Sequence, residues 1–163
     1  MDLPFRIGQG WDTHRIEPNR RLVLGGITIP CEFGLAGHSD ADVLLHAITD
    51  AVLGALALGD IGMHFPDTAA EWKGAESMQF LLHAQQLACA AGYEIANIDS
   101  TIILERPKLK DFRSRISERI AGALRIPLQS VSVKFKTAEG VGSVGEGKSC
   151  EAHVAVLLVR NNQ

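Results

Sequence analysis

Large residues alternate with small or polar ones from Phe5 to His14, and that two-residue period predicts an opening strand. Arg21–Leu24 and Ile27–Ile29 flank Gly25-Gly26, the composition of a tight hairpin with a type I′ or II′ turn. After a loop over 30–37 the period changes. Val43, Leu44, Ala47, Ile48, Ala51, Val52 and Ala55 form the apolar stripe of a helix that Ser39 or Asp40 can cap and Gly59 can end. Residues 60–68 read as an irregular loop broken by Gly62 and Pro66. A second helix is predicted over Ser77–Ala91, with Met78, Leu81, Leu82, Gln85 and Ala88 or Cys89 at helical spacing and Gly92 as its stop. A strand rich in β-branched residues follows over Ile95–Glu105. Asp111 can cap a third helix carrying Phe112, Ile116, Ile120 and Leu124 on one face, closed by Pro127. Val131, Val133 and Phe135 alternate with polar residues as a half-buried strand, and a glycine-rich connection covers 137–147. The last strand, Ala152–Val159, is apolar on both faces.

The order of elements predicts one α/β domain of α+β type over residues 1–163, a mixed sheet with helices on one face. The doubly apolar last strand requires a cover for the other face, either loops or another subunit. No interdomain linker or repeat interrupts the pattern.

Composition narrows the function more than the fold. A formal net charge of −3 and a pI near 6.0 argue against a nucleic-acid groove, so a polyanionic ligand needs local cations or metals. Cys31, Cys89 and Cys150 are odd in number and widely spaced, without a CxxC pair. Reduced thiols in a cytoplasmic compartment are therefore expected, in keeping with the lack of a signal or transit peptide pattern. The apolar runs are too short to span a membrane.

Candidate chemistry gathers at the first strand and the first helix. Asp12 and His14 are i and i+2, hence on one strand face, and Gly8 and Gly10 share that face and would leave room for a ligand. His46 lies on the helix, four residues after Asp42 and four before Asp50, either of which could orient its ring. One carboxylate and two imidazoles on two rigid elements suit a catalytic zinc site, with a fourth position open. A zinc phosphohydrolase and a non-catalytic metal or nucleotide-binding module remain alternatives on the residues alone.

Gly8-x-Gly10-x-Asp12-x-His14, His38-Ser39-Asp40-x-Asp42-x-x-x-His46, Gly59-Asp60-Ile61-Gly62, Phe65-Pro66-Asp67-Thr68 and Lys73-Gly74-Ala75-x-Ser77 follow one another in an order that resembles the 2-C-methyl-D-erythritol 2,4-cyclodiphosphate synthase family. The resemblance covers nearly the whole chain. It implies a homotrimer with the uncovered sheet face in the trimer core and sites at the subunit interfaces. The implied reaction converts 4-diphosphocytidyl-2-C-methyl-D-erythritol 2-phosphate to the cyclic diphosphate plus CMP. The implied cofactors are one Zn2+ per subunit and a Mg2+ or Mn2+ ion. By resemblance, Asp12, His14 and His46 ligate zinc and Glu139 the second ion. His38 and Thr137 stabilise the transition state, and Ser39 contacts phosphates and the methylerythritol unit. Asp60 and Gly62 bind hydroxyls of the substrate, with Ile61 between them also a substrate contact, and Phe65, Pro66, Asp67, Thr68 and Ala69 line the methylerythritol phosphate pocket. Leu104, Glu105, Arg106, Pro107, Lys108, Leu109 and Lys110 form the cytosine-binding turn.

The chain departs from the family pattern after Glu139. That segment is about two residues shorter than in many members, and the arginine such a loop carries toward the phosphates has no counterpart here. Met63 stands where a lysine is common. Lys136 replaces a frequent threonine and could restore one positive charge at the substrate.

Overall fold

The computed structural model describes residues 3–161; Met1, Asp2, Asn162 and Gln163, part of the expected span 1–163, lie outside the described residues. The long strands β1 (Phe5–Pro18), β5 (Tyr93–Ile103) and β7 (Ser149–Arg160) join β4 (Phe33–Leu35) and β6 (Val131–Lys136) in a sheet of order β4-β1-β7-β5-β6. Only β5 and β6 run parallel; the other neighbours are antiparallel, so the sheet is mixed as expected. The hairpin β2 (Leu22–Leu24) and β3 (Ile27–Ile29) stands apart as a two-stranded sheet. Its glycines hold φ of 60° and 74°, the pair of left-handed conformations that a type I′ turn requires.

The helices α1 (Val43–Ala55), α3 (Met78–Ala90) and α4 (Arg113–Leu124) pack on one face of the large sheet. Val154, Val156 and Leu158 of β7 point into that layer with Ile98 and Ile102 of β5, and all five are buried. This periodic burial is the main source of stability. Two short helices, α2 (Ile61–His64) and α5 (Gly142–Gly145), occupy stretches expected to be irregular.

Several local expectations give way to tertiary demands. α1 is capped by Asp42, whose side chain accepts from Leu45 N, and not by Ser39 or Asp40. Ala41 holds φ of 58°, so helical backbone cannot begin before it. The helix ends at Ala55, short of Gly59. Asp111 does not cap α4: it sits in a 3-10 turn, Lys110–Phe112, and α4 begins at Arg113 without a side-chain cap.

Gly8 and Gly10 serve the fold rather than a ligand. A Cβ at Gly8 would lie 1.7 Å from Ala51 O, and one at Gly10 would lie 1.9 Å from Ala47 O. Their bare backbone lets α1 press onto β1, which brings His46 over Asp12 and His14.

The opposite sheet face has no cover among the described residues. Phe5 is 45% exposed, Ile7 71% and Trp11 48%, with the exposed His153 and Ala155 of β7 beside them. Of the two covers expected, loops of the same chain are excluded there.

Candidate active site

Three ligand atoms meet where the first turn of α1 crosses β1. Asp12 Oδ2 lies 2.9 Å from His14 Nε2 and 3.1 Å from His46 Nδ1, and the two ring nitrogens are 3.0 Å apart. Around a tetrahedral zinc with ordinary bond lengths such atoms stand roughly 3.3 Å apart, so the trio need open by only a few tenths of an ångström. Each ring is held from its far side. His14 Nδ1–H donates to the Ala36 carbonyl at 2.6 Å, and His46 Nε2 lies 2.7 Å from Ser77 Oγ. The facing nitrogens therefore present lone pairs, and the donor set fits one divalent cation.

Without a metal a ring proton can take the cation's place between these atoms, and the electrostatics show the same pull on positive charge. Burial pushes Asp12 up, but its bonds to His14 and His46 outweigh that and hold its carboxyl down at about 2. Burial pushes His14 down, yet its bond to Asp12, the charges of Asp12 and Asp42 and the bond to the Ala36 carbonyl together outweigh this and raise it. A carboxylate that stays ionised and an imidazole that attracts a positive charge are what a cation site needs.

The trio floors a cleft of about 310 Å³ that His38, Ser39, Ile61, Gly62, Phe65 and Asp67 also line. Asp60 sits at its edge as the cap of α2, accepting from Met63 N at 3.0 Å. Pro66, Thr68 and Ala69 do not line it, although the Ala69 carbonyl lies 3.2 Å from His38 Nε2 and steadies that ring. Trp72 and Phe80 complete the wall, and the sequence reading missed both. Phe65 packs 4.4 Å from Phe80 and edge-on to Trp72 at 5.2 Å, an apolar wall against the metal trio. Helical spacing places Phe80 one turn after Ser77, the one signal that could have found it.

A second cleft of about 510 Å³ is lined by Leu104, Pro107, Lys108, Leu109, Lys110, Lys136 and Thr137. Glu105 and Arg106 are not in its lining; Glu105 turns back to accept from Ala138 N at 3.1 Å, which ties the two walls together. Arg113 and Phe135 are the members not foreseen, the guanidinium standing 5.4 Å over the ring. Glu139 is exposed, holds φ of 52°, and accepts a hydrogen bond from the Thr137 hydroxyl. The two clefts share no lining residue.

The orienting roles considered for Asp42 and Asp50 are not found. Asp42 is fully buried and accepts from Gly25 N at 3.0 Å, Gly26 N at 2.7 Å and Leu45 N at 3.1 Å, so it joins the hairpin to α1. Asp50 accepts from Ile61 N at 2.7 Å and anchors α2.

The family model described as the YgbB family matches residues 5–159. The chain is 65% identical over 94% of its length to the 2-C-methyl-D-erythritol 2,4-cyclodiphosphate synthase of Solibacter usitatus, 97% of which is covered. The chain belongs to this synthase family. Solved structures agree. The IspF of Plasmodium falciparum in complex with CDP is 36% identical, with a TM-score of 0.87 over 99% of this chain and all of that one. The bifunctional IspDF of Campylobacter jejuni is 39% identical, with a TM-score of 0.92 over 96% of this chain and 42% of that one. As a member of the cyclodiphosphate synthase family the chain is a lyase-class enzyme of isoprenoid biosynthesis, acting at the cyclodiphosphate-forming step of the non-mevalonate pathway. No helix among the described residues is long and apolar enough to cross a membrane.

Proposed function

We propose that this chain closes the ring of 4-diphosphocytidyl-2-C-methyl-D-erythritol 2-phosphate, releasing CMP, in a cytoplasmic homotrimer. The observation that carries the reading is the convergence of Asp12, His14 and His46 on the floor of a cleft whose rim holds His38 and Ser39. Asp12, His14 and His46 would hold Zn2+. Glu139 would hold Mg2+ or Mn2+ together with substrate phosphates, since such an ion commonly takes few protein carboxylates. When bound, the two ions polarise the diphosphate and offset charge on the leaving group.

The chain's own residues do the positioning. The Trp72, Phe65 and Phe80 wall shields the trio and packs the methylerythritol unit, while Asp60, Ile61 and Gly62 present hydrogen-bonding groups to its hydroxyls and Asp67 extends the lining, with Pro66, Thr68 and Ala69 in the same loop just outside it. Pro107 and its neighbours from Leu104 to Lys110 seat the cytosine, with Lys108, Lys110, Lys136 and Arg113 supplying positive charge. His38, Ser39 and Thr137 donate to the phosphates. The 2-phosphate oxygen attacks the β-phosphorus of the same molecule, forming one P–O bond as the bond to CMP breaks. Such a transfer needs orientation and charge neutralisation, and no protein nucleophile.

The known binding of CDP by the Plasmodium falciparum relative supports the nucleotide half. The bare, apolar outer face of β1 and β7 supports the trimer: a three-fold ring would bury it in a common core. To test the reading, the substrate is incubated with the protein in heavy-oxygen water, and CMP release is followed with the mass of the second product. CMP plus a cyclic product free of solvent oxygen is expected. An open-chain product carrying one heavy oxygen would make the protein a phosphohydrolase instead.

A further inference from the structure

Behind His46, on the side away from the ligand atoms, lies a short row of hydrogen bonds, buried at Ser77 and half-buried at its Asp40 end. His46 Nε2 is 2.7 Å from Ser77 Oγ, and the Ser77 hydroxyl in turn donates to Asp40 Oδ1. Asp40 Oδ2 also accepts from Ser77 N at 3.1 Å, so the carboxylate grips Ser77 through both its hydroxyl and its amide. Ser77 is fully buried, and His46 is 9% exposed.

The direction of the row follows from what each group can do. An ionised carboxylate only accepts, so the one Ser77 proton goes to Asp40. The Ser77 oxygen then offers a lone pair to His46, which must carry its proton on Nε2. That leaves the lone pair of Nδ1 aimed at Asp12 and His14. Ser39 Oγ stands 3.2 Å from the same Nε2 and is a weaker second partner, being already engaged by Ala41 N at 3.2 Å.

Ser77 is diverted from the ordinary duty of a serine at a helix start. Ser77 occupies the N-cap position of α3 yet makes no side-chain cap bond, although serine is among the best capping residues. Asp40 stands just ahead of α1, but Asp42 caps that helix. Ser77 gives up a local stabilisation worth about 1 kcal/mol to helix ends in general, while Asp40 Oδ1 also accepts from Asp42 N at 3.2 Å and so braces the loop ahead of α1. The sites they serve in the row are 31 and 37 residues away in sequence.

We propose that Ser77 and Asp40 are positioning residues for the metal ligand His46: together they set its tautomer and fix its ring, so that the Nδ1 lone pair stays aimed at the metal position. The proposal rests on the zinc reading of the trio given above. His14 has the corresponding support from a backbone carbonyl, so His46 is the ligand whose orientation depends on side chains. Outer partners of this kind commonly change metal affinity by roughly 10- to 100-fold.

The test uses full-length protein stripped of metal, with zinc affinity measured by competition against a chromogenic chelator and the ligand field read from the visible spectrum of the cobalt-loaded form. Ser77→Ala should weaken zinc binding about tenfold or more and shift the cobalt bands. Asp40→Asn keeps the shape but not the charge, and should shift both readouts in the same direction by less. Ser77→Thr keeps the hydroxyl and should stay near the parent. A row that merely clips two loops together would lower the melting temperature of these variants and leave affinity and spectrum at parental values, and that result overturns the proposal. If Ser77→Ala does not fold, Asp40→Asn decides alone by the same two readouts. A parent that binds no zinc would instead refute the zinc reading itself, an outcome distinct from parental binding by the variants.

Discussion

Asp42 shows how one side chain can serve three elements at a measurable cost. It ties the Gly25-Gly26 turn to the first turn of α1 through three backbone N–H groups, without reaching solvent. Burial dominates its titration and pushes it up to about 6, against the pull of those N–H groups and with the help of the Asp40 charge. Its unfolded value is about 4. The folded state therefore holds its proton more tightly than the unfolded state does. The associated stability is fully present below pH 4 and is lost as pH rises to about 6, some 3 kcal/mol for a shift of two units. Denaturation of the parent and of Asp42→Asn across pH 4–8 isolates this contribution, because other titrations cancel in the difference. The parent's advantage over the variant should shrink through the window from pH 4 to 6 and then level off. A difference independent of pH would show that Asp42 titrates normally.

At the level of elements, the site depends on how closely α1 approaches β1. Ala47 and Ala51 face Gly10 and Gly8, and backbone meets backbone where side chains would usually intervene. That approach places His46 within bonding reach of two ligands held at fixed spacing on the strand. Gly10→Ala would set a methyl group 1.9 Å from the Ala47 carbonyl oxygen, so the helix must shift outward. The expected cost is on the order of 3 kcal/mol, with zinc affinity lost in proportion to the displacement. Chemical denaturation and chelator competition measure the two effects. Unchanged zinc affinity in a folded variant would mean that the helix position does not set the metal geometry.

For the whole molecule, the separation of the two clefts is the fact that matters. The cleft over Asp12, His14 and His46 draws on β1, α1 and the segment up to Phe80, whereas the cleft proposed for the nucleotide draws on residues 104–137. In the proposed three-fold ring, one chain's metal cleft would meet its neighbour's nucleotide cleft at the subunit interface. Subunit mixing tests this. A His14→Ala chain and a chain disabled in the nucleotide half, by Thr137→Ala with Lys108 also altered, should each form a nearly inactive trimer. Unfolded and refolded together in equal amounts, they should regain roughly a quarter of parental activity, since random assembly leaves that share of contacts with both halves intact. If the mixture stays inactive despite demonstrated exchange, each site lies within one chain.

Local pattern was enough to establish the order of the long elements, the tight Gly25-Gly26 hairpin and the pairing of Asp12 with His14, because all depend on periods of two to four residues and on turn chemistry; it left the turn type open and read the short strand β4, within 30–37, as a loop. The same spacing marked His46 as a ligand candidate, and motif order tied the chain to its family. What tertiary structure alone decided was which partners those residues found. Gly8 and Gly10 were legible as small, but only the packed helix shows that the space belongs to its own carbonyls. Asp42 and Asp50 lie at the right spacing to serve His46 and yet bond elsewhere, while Ser77, 31 residues from it, holds its ring. Helix caps moved for the same reason: a serine or aspartate near a helix start has a nearby amide to satisfy and a buried neighbour competing for the same oxygen. Sequence spacing describes the first, and only the fold brings in the second.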